Sequence, residues 1–220
     1  MAGYTDRRAA GRVLAGAVAL AVRPSEPVIV LGLPRGGVPV AARVARRLSA
    51  PLDAYGVRKL GAPGQPEFAL GAIATGGVQV VSAAAVAGLG LGADVLAAVV
   101  AREAAELARR ERAYRDGRPP PRLAGRTAVL VDDGLATGAT MVAAARAARA
   151  AGANRLVAAV PVASSEGADA VRAEVDELVC PLIPPDFRAV GQFYDDFAST
   201  SDEEVRDLLG TALVAPRPVG

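Results

Sequence analysis

The sequence predicts a single α/β domain, a doubly wound, mainly parallel sheet flanked by helices. Two observations along the chain and one of composition predict it. Short apolar runs alternate with helical patches, and the loops between them are short. Of 220 residues, 52% are hydrophobic and 22% charged, a globular balance with enough chain for one substantial core. No linker, repeat or low-complexity tract beyond an alanine bias divides it. The domain is expected to fill residues 1–220, with a small C-terminal hood over approximately 184–220.

The elements follow in order. After Arg7, Arg8 and Arg12 the chain is apolar from Val13 to Val22, and Ala19-Leu20-Ala21 mimics a cleavage site. Thr5 or Asp6 can cap a helix whose Val13, Leu14, Ala17, Val18 and Ala21 share one face, which favours a docked surface helix. "PVIVLGL" (27–33) reads as a buried strand, "VPVAARVARRL" (38–48) as a helix with its arginines on one side, and "LDAYGV" (52–57) as the second strand of a βαβ unit. "FALGAIA" (68–74) and "VQVVS" (78–82) flank Thr75-Gly76-Gly77 as a hairpin. Phe68 to Ala93 carries no charge, but six glycines with Thr75, Gln79 and Ser82 interrupt it, so it reads as buried strands and turns.

A long amphipathic helix spans 94–117, with Glu103, Glu106 and arginines at helical spacing, and "PPPRLAG" breaks it. "TAVLVD" (127–132) is a third parallel strand and "TMVAAARAARAAGA" (140–153) its helix; "RLVAAVPV" (155–162) and "DELVCPLI" (176–183) supply two more strands. In such a sheet, ligands sit beyond the carboxyl ends of the strands where strand order reverses. Two distinctive loops lie there, "LPRGG" and "DDGLATGAT".

Composition removes whole classes of chemistry. There is no histidine, so His-based triads, His-ligated zinc and histidine bases are excluded. The 25 cations nearly balance 23 anions without a basic block, which argues against a nucleic-acid partner. The lone Cys180 excludes an internal disulfide and points to a reducing, cytoplasmic setting without membrane insertion. Lys59 is the only lysine among the 25 basic residues. Either an arginine-biased composition spared it, or its position needs an ammonium.

Thr137-Gly138-Ala139-Thr140 opens a helix, where unpaired N–H groups and the dipole favour an anion. A phosphate fits there; so does a plain threonine cap with a glycine turn. Asp132 and Asp133 at the strand end repel one another unless something positive or hydroxyl-bearing answers them. Beside a phosphate nest they suit a sugar phosphate, since carboxylates accept strong hydrogen bonds from ribose hydroxyls and can help place a magnesium ion. Other phosphate motifs fail. Lys59 lies outside any Gly-Lys-Ser/Thr loop, "GLPRGG" is not a dinucleotide fingerprint, "GLGLG" (88–92) has the wrong spacing, and no Asp-x-Asp is present.

"VLVDDGLATGAT" closely resembles the phosphoribosyl pyrophosphate (PRPP) motif of the type I phosphoribosyltransferases. "LPRGGVPVA", "VRKLGAPGQPEFALGAI" and "FRAVGQFYDDFASTSDEEV" resemble a bacterial branch of that family, so the likeness covers nearly the whole chain. The resemblance implies that Asp132 and Asp133 hold the ribose hydroxyls, with Gly134 in the same loop, and that Ala136, Thr137, Gly138, Ala139 and Thr140 hold the 5′-phosphate. It implies that Arg35, Gly36 and Gly37 read the pyrophosphate, while Arg58 and Lys59 open a mobile loop that closes over it. Mg²⁺ would be held mainly by PRPP oxygens and water, with Asp132 and Asp133 as its protein contacts. Lys59, Glu67 and Asp133 are the expected catalytic residues.

The chain departs from the hypoxanthine-guanine branch at Ala136, where that branch carries an Asp that handles the base proton. Glu67 is the substitute candidate, or else a solvated loop carboxylate. Phe187, Phe193, Tyr194 and Phe197 fall within eleven residues of the hood, beside Asp195 and Asp196. Phe193 and Tyr194 are the candidate acceptor pocket; a small aromatic core is the equal alternative. The expected activity is phosphoribosyl transfer to an unidentified nitrogenous acceptor, with self-association left open. A non-catalytic PRPP or nucleotide sensor and a PRPP hydrolase stand as alternatives.

Overall fold

The computed structural model describes residues 3–23, 25–115 and 117–212, without the side chains of Pro66, Glu67, Phe68 and Ala212. A five-stranded parallel sheet forms its centre, in the order β2-β1-β6-β7-β8: β1 is Val28–Gly32, β2 Leu52–Ala54, β6 Thr127–Val131, β7 Arg155–Ala159 and β8 Glu177–Val179. Alternate residues sort to the two faces. Val30, Val129, Val131, Val157 and Ala159 pack with helices α1 (Arg7–Ala21), α2 (Gly37–Leu48) and α7 (Asp202–Ala212). Ile29, Leu31, Ala128, Leu130 and Ala158 face α5 (Ala139–Ala150) and α6 (Ser165–Arg172). The alanine-rich face of α5 lets it sink onto the sheet; Ala144, Ala145, Ala147 and Ala148 are fully buried.

A second, antiparallel sheet lies across α5, in the order β3-β4-β5: β3 is Val57–Ala62, β4 Gln65–Ala74 and β5 Val78–Val81. Its Val57, Val78 and Val80 join the α5 core. Its Leu60, Leu70 and Ile73 pack against α4 (Ala93–Arg115), with the short α3 (Ala83–Gly88) beside them. The expected β4–β5 hairpin turns through Gly76 and Gly77, both at positive φ. A correction falls just before it: Arg58 and Lys59, expected to open a mobile loop, lie within strand β3. Arg58 and Lys59 therefore sit in register with Ile73 and Ala72. Leu60 and Ala62 explain this, because their alternate burial needs extended backbone.

Asp6 caps α1, its Oδ1 accepting from Ala9 N at 2.6 Å. The buried face is Ala10, Gly11, Leu14, Ala15 and Val18. It is rotated from the expected stripe, and Val13 is 52% exposed. Small residues win because α2 lies close: a Cβ on Gly11 would stand 3.0 Å from Arg43 Cβ and from the Val40 carbonyl. No described helix is long and apolar enough to cross a membrane.

The chain steps from β1 to β2 on one side and from β6 to β7 and β8 on the other. Strand order thus reverses between β1 and β6, and the two distinctive loops diverge at that point.

Candidate active site

The site begins with the pairing of β1 and β6, which brings Gly32 level with Val131, and Leu33 N donates to the Val131 carbonyl at 2.8 Å. The loops that follow are pressed together. A Cβ on Gly36 would collide with Asp133 Oδ2 and stand 2.8 Å from Asp133 Cγ. One on Gly37 would stand 2.5 Å from the Val131 carbonyl and 3.0 Å from Asp132 Oδ1. Neither glycine has positive φ, so close approach is what requires them. The Pro34–Arg35 peptide is cis. The Arg35 side chain is half-exposed, and its Nη1 lies 3.9 Å from Asp202 Oδ1 at the start of α7.

The two carboxylates are answered differently. Asp133 Oδ2 accepts from Arg7 Nε at 2.8 Å, and its carbonyl accepts from the Tyr194 hydroxyl at 2.6 Å. Asp132 has no cation in direct contact among the described residues; its Oδ1 accepts from Asp133 N at 2.9 Å. Burial holds the Asp132 carboxyl well above its ordinary value, and the neighbouring Asp133 charge pushes the same way against the weaker pull of that amide and Arg7.

Beyond the pair, Gly134 lies under Val190 of the hood, whose Cγ1 would stand 2.5 Å from an added Cβ. Leu135 N donates to the Val162 carbonyl at 3.0 Å. Ser164 Oγ donates to the Ala136 carbonyl, and Gly167 lies close beneath the same oxygen. Gly138, at φ +73°, starts α5 without a side-chain cap. Ala136, Thr137 and Thr140 are exposed around it, and Ala139 opens the helix. Ala139 N donates to Thr137 Oγ1 at 3.4 Å, and the exposed helix end with its two hydroxyls suits an anion. A glycine-lined loop, a carboxylate pair and an exposed helix end thus meet at the point where strand order reverses.

A phosphoribosyl transferase domain model matches residues 4–198, from the strand-like Tyr4 to Ala198 beside Arg7. The chain belongs to the phosphoribosyl transferase domain family. Two curated relatives in Mycobacterium tuberculosis, from strains CDC 1551 / Oshkosh and ATCC 25618 / H37Rv, are provisionally named phosphoribosyl transferases. Each is 49% identical over 209 residues, covering 95% of this chain and 47% of the relative. The chain therefore spans about half the length of the curated relatives it matches. A crystal structure of TT1426 from Thermus thermophilus is 46% identical, covers 94% of this chain and 97% of that one, and superposes with a TM-score of 0.85. The AQ2163 protein of Aquifex aeolicus shares the fold at 13% identity, with a TM-score of 0.51 over 92% of this chain and 84% of that one.

The other expected site residues of this phosphoribosyl transferase domain are placed as follows. Arg58 donates through Nε and Nη2 to Glu103 Oε2 of α4, at 2.9 and 2.6 Å. Lys59 is exposed on β3. Glu67 falls within β4, but its side chain lies outside the described residues. Phe193 and Tyr194 correct the idea of an open stacking platform: both are buried, with Phe193 stacked on Phe187 at 5.6 Å. They form a small packed cluster, because Tyr4, Ala10 and Val162 close over them.

Sequence reasoning missed the N-terminal segment. Tyr4 pairs with Tyr194 as an isolated parallel bridge, its N donating to Phe193 O and its carbonyl accepting from Asp195 N. The Tyr4 hydroxyl donates to the Pro161 carbonyl at 2.9 Å. Arg7 then reaches the carboxylate pair. The available signal was a cluster of arginines at a helix start, which looked like the flank of an apolar run.

Proposed function

We propose that this domain transfers the phosphoribosyl group of PRPP to a nitrogenous acceptor, releasing pyrophosphate. One observation carries the reading: Gly36 and Gly37 lie against Asp132 and Asp133 with no room for a side chain. That juxtaposition supports a pyrophosphate loop seated beside acceptors for vicinal hydroxyls, while the Gly37 amide itself donates to the Leu33 carbonyl at 3.0 Å. In this reading Asp132 and Asp133 bind the ribose 2′- and 3′-hydroxyls, with Gly134 giving the loop its close seat under the hood. Ala136 to Thr140 hold the 5′-phosphate through first-turn amides and the Thr137 and Thr140 hydroxyls. Arg35 adds charge to the pyrophosphate loop.

Departure of pyrophosphate leaves an oxocarbenium-like sugar, and fixed donors around the leaving group lower that barrier. Lys59 contributes an ammonium from β3, with Arg58 beside it, and Asp133 lies on the ribose side of the developing cation. Glu67 is assigned the acceptor's proton. The hood carries the acceptor subsite, with Phe193 and Tyr194 as its packed support. The setting is cytoplasmic nucleotide metabolism.

Magnesium fits this site in a limited way. Among the described residues no group of three or more His, Cys, Asp or Glu could hold a metal. Two adjacent carboxylates beside a polyphosphate suit an ion held mostly by ligand oxygens and water. When bound, Mg²⁺ supplies charge neutralisation for the departing diphosphate. Asp132 and Asp133 are the residues that would touch its shell.

The test is pyrophosphate release from PRPP and Mg²⁺ across a panel of purine, pyrimidine and related bases. Release that depends on one base is the expected result. Release without any base would reassign the domain as a PRPP hydrolase, and PRPP binding without release as a sensor.

A further inference from the structure

Arg7 has no task in the chemistry above, yet it stands where the first turn of α1, the hood and the carboxylate pair meet. Its Nε donates to Asp133 Oδ2 at 2.8 Å, and its Nη1 donates to the Ala198 carbonyl at 2.6 Å. Its guanidinium carbon lies 4.0 Å from the centre of the Phe197 ring. The Arg7 side chain is 12% exposed and that of Asp133 15%, so the pair is largely withdrawn from water. Gly36 makes the room: a Cβ there would stand 3.1 Å from Arg7 Nε as well as against Asp133.

A guanidinium fixed at three points can aim a carboxylate, and a compact ammonium cannot reproduce that fork. Asp133 Oδ2 is occupied by Arg7, while its Oδ1 accepts no hydrogen bond among the described residues. The Tyr194 hydroxyl fixes the same residue from behind, through its carbonyl. Arg7 also carries the only opposite charge in direct contact with the Asp132–Asp133 pair among the described residues. Without it, two adjacent carboxylates would face a ligand that is itself a polyanion.

We propose that Arg7 is a positioning residue of the ribose subsite. It acts through Asp133, holding Oδ2 so that Oδ1 is presented to a ribose hydroxyl, and it offsets the charge of the carboxylate pair. Through Ala198 and Phe197 it ties that presentation to the hood. The inference rests on the ribose role of Asp133 proposed above, and the experiment separates the two.

Calorimetric binding of three probes, each with Mg²⁺, reads the role: PRPP, ribose 5-phosphate and inorganic pyrophosphate. Wild type is compared with Arg7→Met, Arg7→Lys, Asp133→Asn and the Arg7→Met/Asp133→Asn double variant. Arg7→Met should weaken PRPP and ribose 5-phosphate about tenfold, on the scale of one hydrogen bond to a charged group, and leave pyrophosphate within about twofold. Arg7→Lys should recover part of that loss. The double variant should bind PRPP no more weakly than Asp133→Asn alone, because Arg7 acts through Asp133.

Unchanged PRPP affinity in Arg7→Met would overturn the proposal, as would an equal loss for all three probes, which marks a merely structural role. If Arg7→Met does not fold, Arg7→Lys decides: a partial loss confined to the two ribose ligands supports the role, and full wild-type affinity overturns it. Wild type that binds pyrophosphate but neither ribose ligand would instead overturn the ribose assignment beneath it.

Discussion

Gly36 and Asp133 share a space that admits no side chain: a Cβ on the glycine would collide with the Asp133 Oδ2 oxygen and stand 2.8 Å from its Cγ. The same oxygen is held by Arg7, so it cannot simply swing aside. Gly36→Ala should therefore cost about 1–3 kcal/mol of stability, the range for overpacking. It should also weaken PRPP binding, because the carboxylate or the loop must move. Gly37→Ala should cost more, since its Cβ meets the Val131 carbonyl and Asp132 Cα at 2.5 and 2.9 Å, and backbone yields less readily. Urea unfolding and calorimetric PRPP titration of both variants check this; a fully stable Gly37→Ala would refute the close-approach argument.

Asp132 gives a stability prediction of opposite sign. Its carboxyl is raised by burial and by the Asp133 charge, so ionising it in the folded, ligand-free protein costs stability. Asp132→Asn should raise stability without ligand by about 0.5–2 kcal/mol, while weakening PRPP binding, as expected when a functional group is held at a cost. A raised folded value favours the protonated folded form. Wild-type stability from this group is therefore greatest below its ordinary value of 3.8 and falls as pH climbs from there toward the raised one. Urea unfolding over that pH range should show the decline in wild type and its loss in Asp132→Asn.

Glu103 behaves in reverse. Burial works against its charge, but hydrogen bonds from Arg58 and Arg102 overcome this and hold its carboxyl below the ordinary 4.5. Stability from this pair is then full above that ordinary value and is lost as pH falls through the lowered one. Glu103→Gln should destabilise the β3–α4 contact by about 1.5 kcal/mol at neutral pH. Its unfolding free energy should also lose part of the acid dependence seen in wild type.

Lys59 is tested by turnover, once the base panel has named the acceptor. Lys59→Ala should change stability by under about 0.5 kcal/mol, because the side chain is exposed. Turnover should fall about 10²–10³-fold if one transition-state donor is lost, and Lys59→Arg should restore only part of it. Wild-type turnover in Lys59→Ala would return this lysine to chance composition.

What the sequence made legible was local. An apolar run, two carboxylates, a small-residue turn and an alanine-rich patch lie consecutively, so β6, the Asp132–Thr140 loop and α5 could be read in place. The strand β3 was not, because Arg58 and Lys59 mask an alternation that only Leu60 and Ala62 reveal once α4 covers them. The Arg58–Glu103 pair was not legible either, because Glu103 lies far along the chain on α4. The buried face of α1 was misjudged because hydrophobicity pointed to Val13, whereas close helix packing selected Gly11 and Ala15. Arg7 was invisible for the same reason: its meaning depends on Asp133, Ala198 and Phe197, which meet only in the fold.

The central claim is that the paired loops carrying Gly36 and Asp133 bind PRPP as both a diphosphate and a ribose. Thermal unfolding with saturating ligand and Mg²⁺ tests it most directly. A ligand that binds only the folded state at one hundred times its Kd stabilises by about 2.7 kcal/mol. PRPP should raise the Tm accordingly, ribose 5-phosphate at the same concentration should raise it less, and Asp133→Asn should reduce both shifts. No shift with PRPP, or equal shifts from PRPP and ribose 5-phosphate, would contradict the account.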